Sequence, residues 1–401
     1  MEFAVPSSAL ALLSRLWDAG YEAYLVGGCV RDLLRGETPS DYDMTTSAEP
    51  HEMKAVFSNC RTVETGMRHG TLTVISDGVP YEITTYRVDG TYTDSRHPDA
   101  VCFTGSLSED LARRDFTVNA IAYAPGKGIV DPFGGRADLE ARILRAVGDP
   151  SRRFTEDALR ILRALRFSSV LGFEIESKTA SAAHALADRL SLVSVERIRS
   201  EISKLLCGSF AENVLRLFSD VLKKAAPSLS ELGSAYESAV SLAVALPRHE
   251  LSLRLSALLS PLSTDRVGQA LSALRYDRKT ADRVLLALRH FHDPLPENDT
   301  ELLRLLSRIG ETGARDRLRL AMPRAPKEAA ALLSRLDALL AEGRCYRISD
   351  LAINGRILME NGFRPGREIG DLLSLLLQRV ISGELPNDTE QLLRYALKVK
   401  V

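Results

Sequence analysis

The sequence predicts an α+β protein, with a mixed α/β segment ahead of a long helical remainder. Two observations predict this division. Short β-rich runs bounded by turn residues lie ahead of Asp138, at Tyr24–Val26, Gly70–Ser76 and Tyr81–Tyr86. From Asp138 onward apolar residues recur at helical spacing, and Leu205–Leu340 is rich in Leu and Ala, with breaks at Pro227, Pro247, Pro261, Pro294 and Pro296. A composition of 45% hydrophobic and 26% charged residues over 401 positions is that of a globular protein. That length leaves room for about two to four domains.

Taken in order, Ser7–Ala19 sets Leu10, Leu13, Leu16 and Trp17 on one helical stripe, which assigns Trp17 to the core. Tyr24–Val26 is a short apolar strand. Gly27 and Gly28 then turn the backbone tightly and, lacking Cβ atoms, admit a bulky anion close to the main chain. Val30–Leu34 starts a helix whose first turn exposes N–H groups suited to phosphate. Arg31 adds a permanent charge and a fork of donors there. A second short strand is expected to carry Asp41 and Asp43 on one face, with Tyr42 on the other. Paired carboxylates suit a hard divalent cation such as Mg²⁺, which binds through one or two carboxylates plus substrate phosphates. A Gly pair or an Asp-x-Asp alone is common. Together, in this order and this close, they describe a triphosphate and metal site, which points to nucleotidyl transfer.

Ala48–Phe57 reads as a helix with Pro50 near its start, and Asp77-Gly78 as the turn of a hairpin. Glu82 lies on the second hairpin strand, where it either supplies a third carboxylate or is simply solvated. Arg87–Phe103 is polar and turn-rich, a loop of a length that is uncommon without a function. Arg113-Arg114-Asp115-Phe116-Thr117-Val118-Asn119 is the next chemical cluster, and Asp131-Pro132-Phe133-Gly134-Gly135 a turn that closes the first domain. Beyond it, Thr155 is expected to cap a helix running from Ala158 to Phe167, with Glu156 and Asp157 in its first turn. Asp157, Arg160, Arg163 and Arg166 recur every third residue along a slowly winding stripe. Three arginines against one acid leave charge uncompensated, which suits a nucleotide or an RNA backbone. His290, His292 and Asp293 lack further ligands and read as a helix C-terminus. In the last unit, Tyr346–Val401, turns at Asn354-Gly355, Asn361-Gly362 and Pro365-Gly366 separate short helices, and Gly366 and Gly370 flank a helix start whose exposed amides either hold a nucleic-acid phosphate or are simply turn punctuation.

The formal net charge of −1 gives no global basic signature, so any RNA contact must come from local arginine clusters. Cys29, Cys60, Cys102, Cys207 and Cys345 are odd in number and never spaced C-x-x-C, which argues for free thiols in a reducing cytosol. The N-terminal stretch shows no signal-peptide pattern, and no apolar run approaches the ~18–20 residues that cross a bilayer.

With these motifs in view, the chain resembles the bacterial class II tRNA nucleotidyltransferase and poly(A) polymerase family. Five landmarks carry the resemblance: Leu25–Asp32 with Asp41 and Asp43, Arg113–Asn119, Asp131–Gly135, Glu156–Phe167, and Glu196–Glu201. The resemblance implies a polymerase-β-like nucleotidyltransferase head (1–137) followed by an all-helical neck (138–205), body (206–340) and tail (341–401). It implies Asp41 and Asp43 as metal ligands and catalytic groups, with Gly28 and Arg31 at the triphosphate. Arg114 and Asp115 match the motif that holds ribose and phosphates. Asp157, Arg160, Arg163 and Arg166 match the motif that reads the base and grips its phosphates. The loop with Asp94 and Arg96 is similar to that of members able to add the terminal A. The expected function is template-independent addition of C and A to the 3′ end of tRNA from CTP and ATP, with Mg²⁺, in the cytoplasm, and with the tail binding tRNA. A-only addition, poly(A) synthesis and a non-catalytic RNA-binding role are the competing readings. No His-Asp pair with companion histidines follows the body, so no phosphohydrolase activity is expected.

Overall fold

Ala23–Val26 (β1) is buried at all four positions, as a strand covered on both faces must be, and the N-terminal unit is layered about it. The computed structural model describes residues 2–89 and 101–399, apart from the side chains of residues 89 and 101. These form two compact units, Met1–Glu231 and Leu232–Val401.

In the first unit the further strands are Met44–Thr46 (β2), Arg61–Val63 (β3), Thr71–Ser76 (β4), Val79–Thr85 (β5), Arg87–Asp89 (β6), Val101–Phe103 (β7), Ala122–Ala124 (β8) and Gly128–Val130 (β9). Seven of them make one sheet in the order β3-β4-β5-β2-β1-β8-β9, with β2 and β5 parallel and the other pairs antiparallel. Alternation along β1 splits the core. Ala23 and Leu25 join Met44, Leu72, Val74, Ile83 and Tyr123, covered by Ser7–Asp18 (α1), Gly28–Leu34 (α2) and Pro50–Val56 (α3). Tyr24 and Val26 face the other way, onto Tyr86, Leu111, Ala120 and Ala122. Trp17 is partly buried against both clusters, and its Nε1 donates to the Ala23 carbonyl at 3.1 Å.

The β4–β5 hairpin forms as its turn chemistry requires, with Asp77 and Gly78 both in the left-handed region (φ 51° and 78°). Two expectations about strands need correction. Asp41 and Asp43 are not on a strand: β2 begins at Met44, and only the Val26 N–H donation to the Asp43 carbonyl, at 3.0 Å, extends the ladder toward them. The ends of the Arg87–Phe103 loop are paired as β6 and β7. Asp94, Arg96, His97 and Pro98 lie outside the described residues.

Leu107–Ala112 (α4), a short turn at Thr117–Asn119 and Gly135–Ala141 (α5) accompany these strands. Asp131 accepts from the Gly135 and Arg136 amides at 2.7 and 2.9 Å and so starts α5. The chain beyond Asp138 is not wholly helical. Ile143–Leu144 (β10) pairs in parallel with Glu174–Ile175 (β11) around Pro150–Glu156 (α6) and Leu159–Leu171 (α7). Thr155 therefore lies within α6 and caps nothing; the helix breaks at Asp157 (φ −140°, ψ 104°), whose carboxylate accepts from the Leu159 amide at 3.0 Å. Ser177–Ala185 (α8), Val195–Leu206 (α9), Ala211–Leu217 (α10) and Ser219–Ala225 (α11) follow.

The second unit is helical: Tyr236–Val244 (α12), Leu251–Leu259 (α13), Thr264–Ala273 (α14), Arg278–Arg289 (α15), Asp299–Ala321 (α16), Pro326–Ala341 (α17), Gly355–Glu360 (α18), Arg367–Ile381 (α19) and Thr389–Val399 (α20). One apolar core joins Leu302, Leu306, Leu318 and Leu336 to Tyr346, Leu358, Leu376 and Leu392, so the segments on either side of residue 340 share an interior. Asn354 caps α18 through the Ile357 amide at 3.1 Å. His290 ends α15 and meets Asp293 at 2.8 Å.

A Cβ on Gly135 would overlap the carbonyl of Thr117, a main-chain atom that cannot swing aside. Gly135→Ala should cost roughly 1–3 kcal/mol of stability, read as a lower urea midpoint with an unchanged slope. An unshifted midpoint would show that α5 does not pack on the Thr117 turn as closely as described.

Candidate active site

The glycine turn sits where β1 gives way to α2. Gly27 adopts φ 78°, ψ −130°, and a Cβ there would stand 3.3 Å from Arg114 Nη1. The positive φ is what calls for glycine here, and a Cβ would also crowd the Arg114 guanidinium. Gly28 begins α2, and Arg31 one turn on is nearly buried. Arg31 donates from Nε and Nη2 to Asp32 at 2.9 and 3.0 Å, and from Nη1 to Asn119 Oδ1 at 2.8 Å.

Beside this turn the Asp41–Asp43 segment leads into β2. Burial pushes the Asp43 carboxyl up to about 6, with the negative charges of Asp41 and Glu82 adding to it and Arg114 opposing. The residue is nonetheless open to solvent, so the carboxylate stands at the mouth of a crowded recess. Anionic oxygens held together under partial desolvation are the donor set a hard divalent cation neutralises. Among the described residues no group of three or more His, Cys, Asp or Glu is gathered as a metal cage. The site fits a cation that takes its remaining ligands from a substrate.

Asp110, fully buried on α4, organises the basic side of the recess. It accepts from Arg113 Nε and Nη2 at 2.9 and 2.7 Å, Arg114 Nη2 at 3.1 Å and Thr45 Oγ1 at 3.2 Å. Burial raises its carboxyl, but Arg114 and Arg113 outweigh that and lower it. Arg114 Nε is buried without a hydrogen-bond partner, although the guanidinium reaches Gly27 and acts on Asp43.

Asp115 belongs to a different network. Its Oδ1 accepts from the Phe116 amide at 2.9 Å and Asn119 Nδ2 at 3.1 Å, and its Oδ2 from Arg163 Nε at 2.8 Å. Burial alone would raise the carboxyl; Arg163, Asn119 and Arg160 overcome it and hold it at about 2. Arg166 Nε donates to Glu201 of α9 at 2.5 Å, and Arg160 Nη1 to Glu156 at 2.8 Å with Nη2 on the Arg113 carbonyl at 3.0 Å. Asp157 receives Arg197 Nη2 at 2.8 Å.

Two features of the arginine stripe are thereby corrected. Asp157 precedes α7 rather than sharing its face with Arg160. The charge is not left uncompensated along the helix, because Asp115, Glu156 and Glu201 reach it from other elements. Asp110, Asn119, Glu201, Arg197 and Phe167 were given no individual role by sequence. Only Asp110 carried a local signal, its spacing of three and four residues from Arg113 and Arg114.

The depressed Asp115 carboxyl has a pH consequence. Its ordinary value is 3.8 and its folded value about 2, so the stability it confers is full above about pH 4 and lost as pH falls through 2. The stability gap between the native chain and Asp115→Asn should narrow by on the order of 2 kcal/mol across that window. Chemical denaturation at pH 5, 4, 3 and 2 measures it, and a constant gap would mean that Asp115 is not charged against Arg163.

Residues 23–145 match the family described as the poly A polymerase head domain, 172–222 the probable RNA and SrmB-binding site of polymerase A, and 250–396 the putative tRNA nucleotidyltransferase domain 2. The chain is 40% identical to a CCA-adding enzyme of Latilactobacillus sakei, over 98% of both. It is 53% identical to that of Leuconostoc mesenteroides over 209 residues, 52% of each. Among solved structures, the CCA-adding enzyme of Bacillus stearothermophilus in complex with CTP superposes with a TM-score of 0.85 at 34% identity, over 98% of this chain and 96% of that one. The CCA-adding enzyme of Thermotoga maritima, at 21% identity and a TM-score of 0.66, covering 98% of this chain and 96% of that one, shares the fold.

Proposed function

The chain belongs to the CCA-adding enzymes, and from that premise and the geometry we infer what its site does. It is a nucleotidyltransferase that adds C and A to the 3′ end of tRNA from CTP and ATP, without a nucleic-acid template, releasing pyrophosphate. The observation that best supports this is the convergence of Asp41 and Asp43 with Arg114 on one glycine turn, which sets a cation site against a cationic cradle. Enzymes of this kind use divalent metal ions; Mg²⁺ is the proposed ion, held by Asp41 and Asp43. When bound it supplies Lewis-acid charge at the α-phosphate and the leaving pyrophosphate. Glu82 lies close enough to influence Asp43, so a supporting role at the same cation is consistent with its charge.

The residues of the chain do the rest by position. Gly27 and Gly28 let the triphosphate approach the main chain, while Arg31 and Arg114 pair with its oxygens and so orient the α-phosphorus for in-line attack by the terminal hydroxyl of tRNA. Asp115 fixes Arg163 rather than touching the nucleotide through its own carboxylate. Asp157 and Arg160 are assigned to the base. C and A both present an exocyclic amine beside an unprotonated ring nitrogen, which a carboxylate and a guanidinium recognise; G and U present a carbonyl beside N–H. Arg197 and Glu156 hold those two side chains in place. The head (1–137), neck (138–205), body (206–340) and tail (341–401) divide this work, with tRNA reaching the tail by backbone and shape. No helix of the described residues is long and apolar enough to cross a membrane; the cytosol, where tRNA is matured, is the proposed location.

The decisive experiment offers tRNA ending at the discriminator base, at C or at CC, with each triphosphate singly and Mg²⁺, and sequences the 3′ ends. Growth that stops at CCA supports the assignment. Homopolymeric A would make the chain a poly(A) polymerase, and no growth would make it an RNA-binding relative.

Two substitutions separate chemistry from base choice. Asp41→Ala or Asp43→Ala should abolish incorporation while tRNA binding persists, a loss of several kcal/mol of transition-state stabilisation. Near-native turnover in either variant would remove these residues from the metal site. Asp157→Ala should lower kcat/KM for CTP and ATP by about ten- to a hundredfold and narrow the margin over UTP and GTP. A single common factor for all four triphosphates would make Asp157 a helix cap and no more.

A further inference from the structure

The basic side of the site converges on an apolar residue. Phe167, on α7, is almost completely buried, with its ring edge-on to Phe116 at a centroid separation of 5.8 Å. Three guanidinium carbons surround the ring: Arg166 at 3.9 Å from its centroid, Arg163 at 5.2 Å and Arg31 at 5.3 Å. Arg31 comes from the glycine turn, whereas Arg163 and Arg166 belong to the same helix as Phe167. Each guanidinium also meets an acid: Asp32, Asp115 and Glu201 respectively.

Three cations this close repel one another, and the acids fix each by its donor edge, leaving its flat faces to be solvated or covered. An aromatic ring covers them and attracts them through its negative π face, an interaction that operates within about 6 Å of the centroid. An aliphatic side chain would fill the same space without that attraction.

We propose that Phe167 is a positioning residue for the incoming nucleotide: its ring electrostatics, beyond its bulk, hold Arg31, Arg163 and Arg166 as one set that pairs with the triphosphate. This rests on the nucleotidyl-transfer reading above. It adds that the glycine turn and α7 are coupled through one ring. Nucleotide affinity should then follow the quadrupole of residue 167, while tRNA affinity and the fold need not.

The test replaces Phe167 in the full chain with 4-fluoro-, 3,5-difluoro- and pentafluorophenylalanine, which keep ring shape nearly constant while weakening and then reversing the π attraction. Steady-state incorporation gives kcat and KM for CTP, ATP and tRNA, and thermal melting monitors the fold. The expected result is a stepwise rise in KM for both triphosphates, reaching roughly three- to thirtyfold, with KM for tRNA and the melting temperature nearly constant. Phe167→Tyr should stay near the native value, and Phe167→Leu, where it folds, should fall between the native and pentafluoro variants. A triphosphate KM that is flat across the fluorinated series would overturn the proposal and leave Phe167 a packing residue. So would an equal loss in every parameter together with a lower melting temperature. Failure of the native chain itself to incorporate nucleotides would instead overturn the reading on which the proposal rests.

Discussion

The ion pair between the buried Asp115 and the half-buried Arg163 is the constraint on which the arrangement of the site depends. Asp115 is held from its main chain as well: its carbonyl accepts from Val147, the Thr117 amide donates to Arg145, and Phe116 bridges Ala146. The carboxylate thus joins the Arg113–Asn119 segment to α7. From Arg163 the contacts pass through Asp115 to Asn119, and from Asn119 to Arg31 and Asp32. Removing the half-exposed Arg163 would leave Asp115 a buried carboxylate without its charged partner. The position of Arg31 at the glycine turn is therefore set by an acid eighty-four residues further along the chain, an offset that no local propensity encodes.

A second constraint is how the opposing charges are kept apart. Asp41 and Asp43 would gain from direct pairing with the nearest guanidinium, and that pairing would consume the groups proposed for cation and phosphate. Asp110 prevents it by holding Arg113 and Arg114 from behind while Arg114 still acts on Asp43 across the recess. Glu201 and Glu156 do the same for Arg166 and Arg160. The acids fix donors in place before any substrate arrives, which is what electrostatic preorganisation requires. The unpartnered buried Nε of Arg114 is the visible residue of that arrangement.

What the sequence disclosed and what it withheld divide along the range of the interactions. Asp77-Gly78 announced its hairpin because turn geometry belongs to two residues. Gly27 announced its turn for the same reason, and the arginines at 160, 163 and 166 were visible as a period. The partners of that stripe were not visible, because Asp115 and Glu201 lie 48 and 35 residues from the arginines they bind. Thr155 was mistaken for a cap because it precedes two acids, the usual pattern of a helix start. The break falls instead at Asp157, whose extended backbone separates α6 from α7. Asp41 and Asp43 alternate as strand residues do, but strand status needs a continuous ladder, and the glycine turn ends β1 at Val26.

The near-neutral charge also has a structural reading. With 52 basic and 53 acidic side chains the chain has no long-range attraction for a polyanion. A large share of the acids around the site are buried partners of arginine: Asp110 and Glu201 are both under a tenth exposed, as is Asp115. Their charge cancels that of the arginines at a distance while leaving the guanidinium groups fixed at short range. Screening already limits attraction between exposed charges beyond about 8–10 Å at physiological ionic strength. Affinity for a triphosphate then depends on donors that are correctly placed, rather than on a basic surface that would hold any nucleic acid. For a protein that must release its finished product, weak general attraction with strong local geometry is an arrangement compatible with turnover.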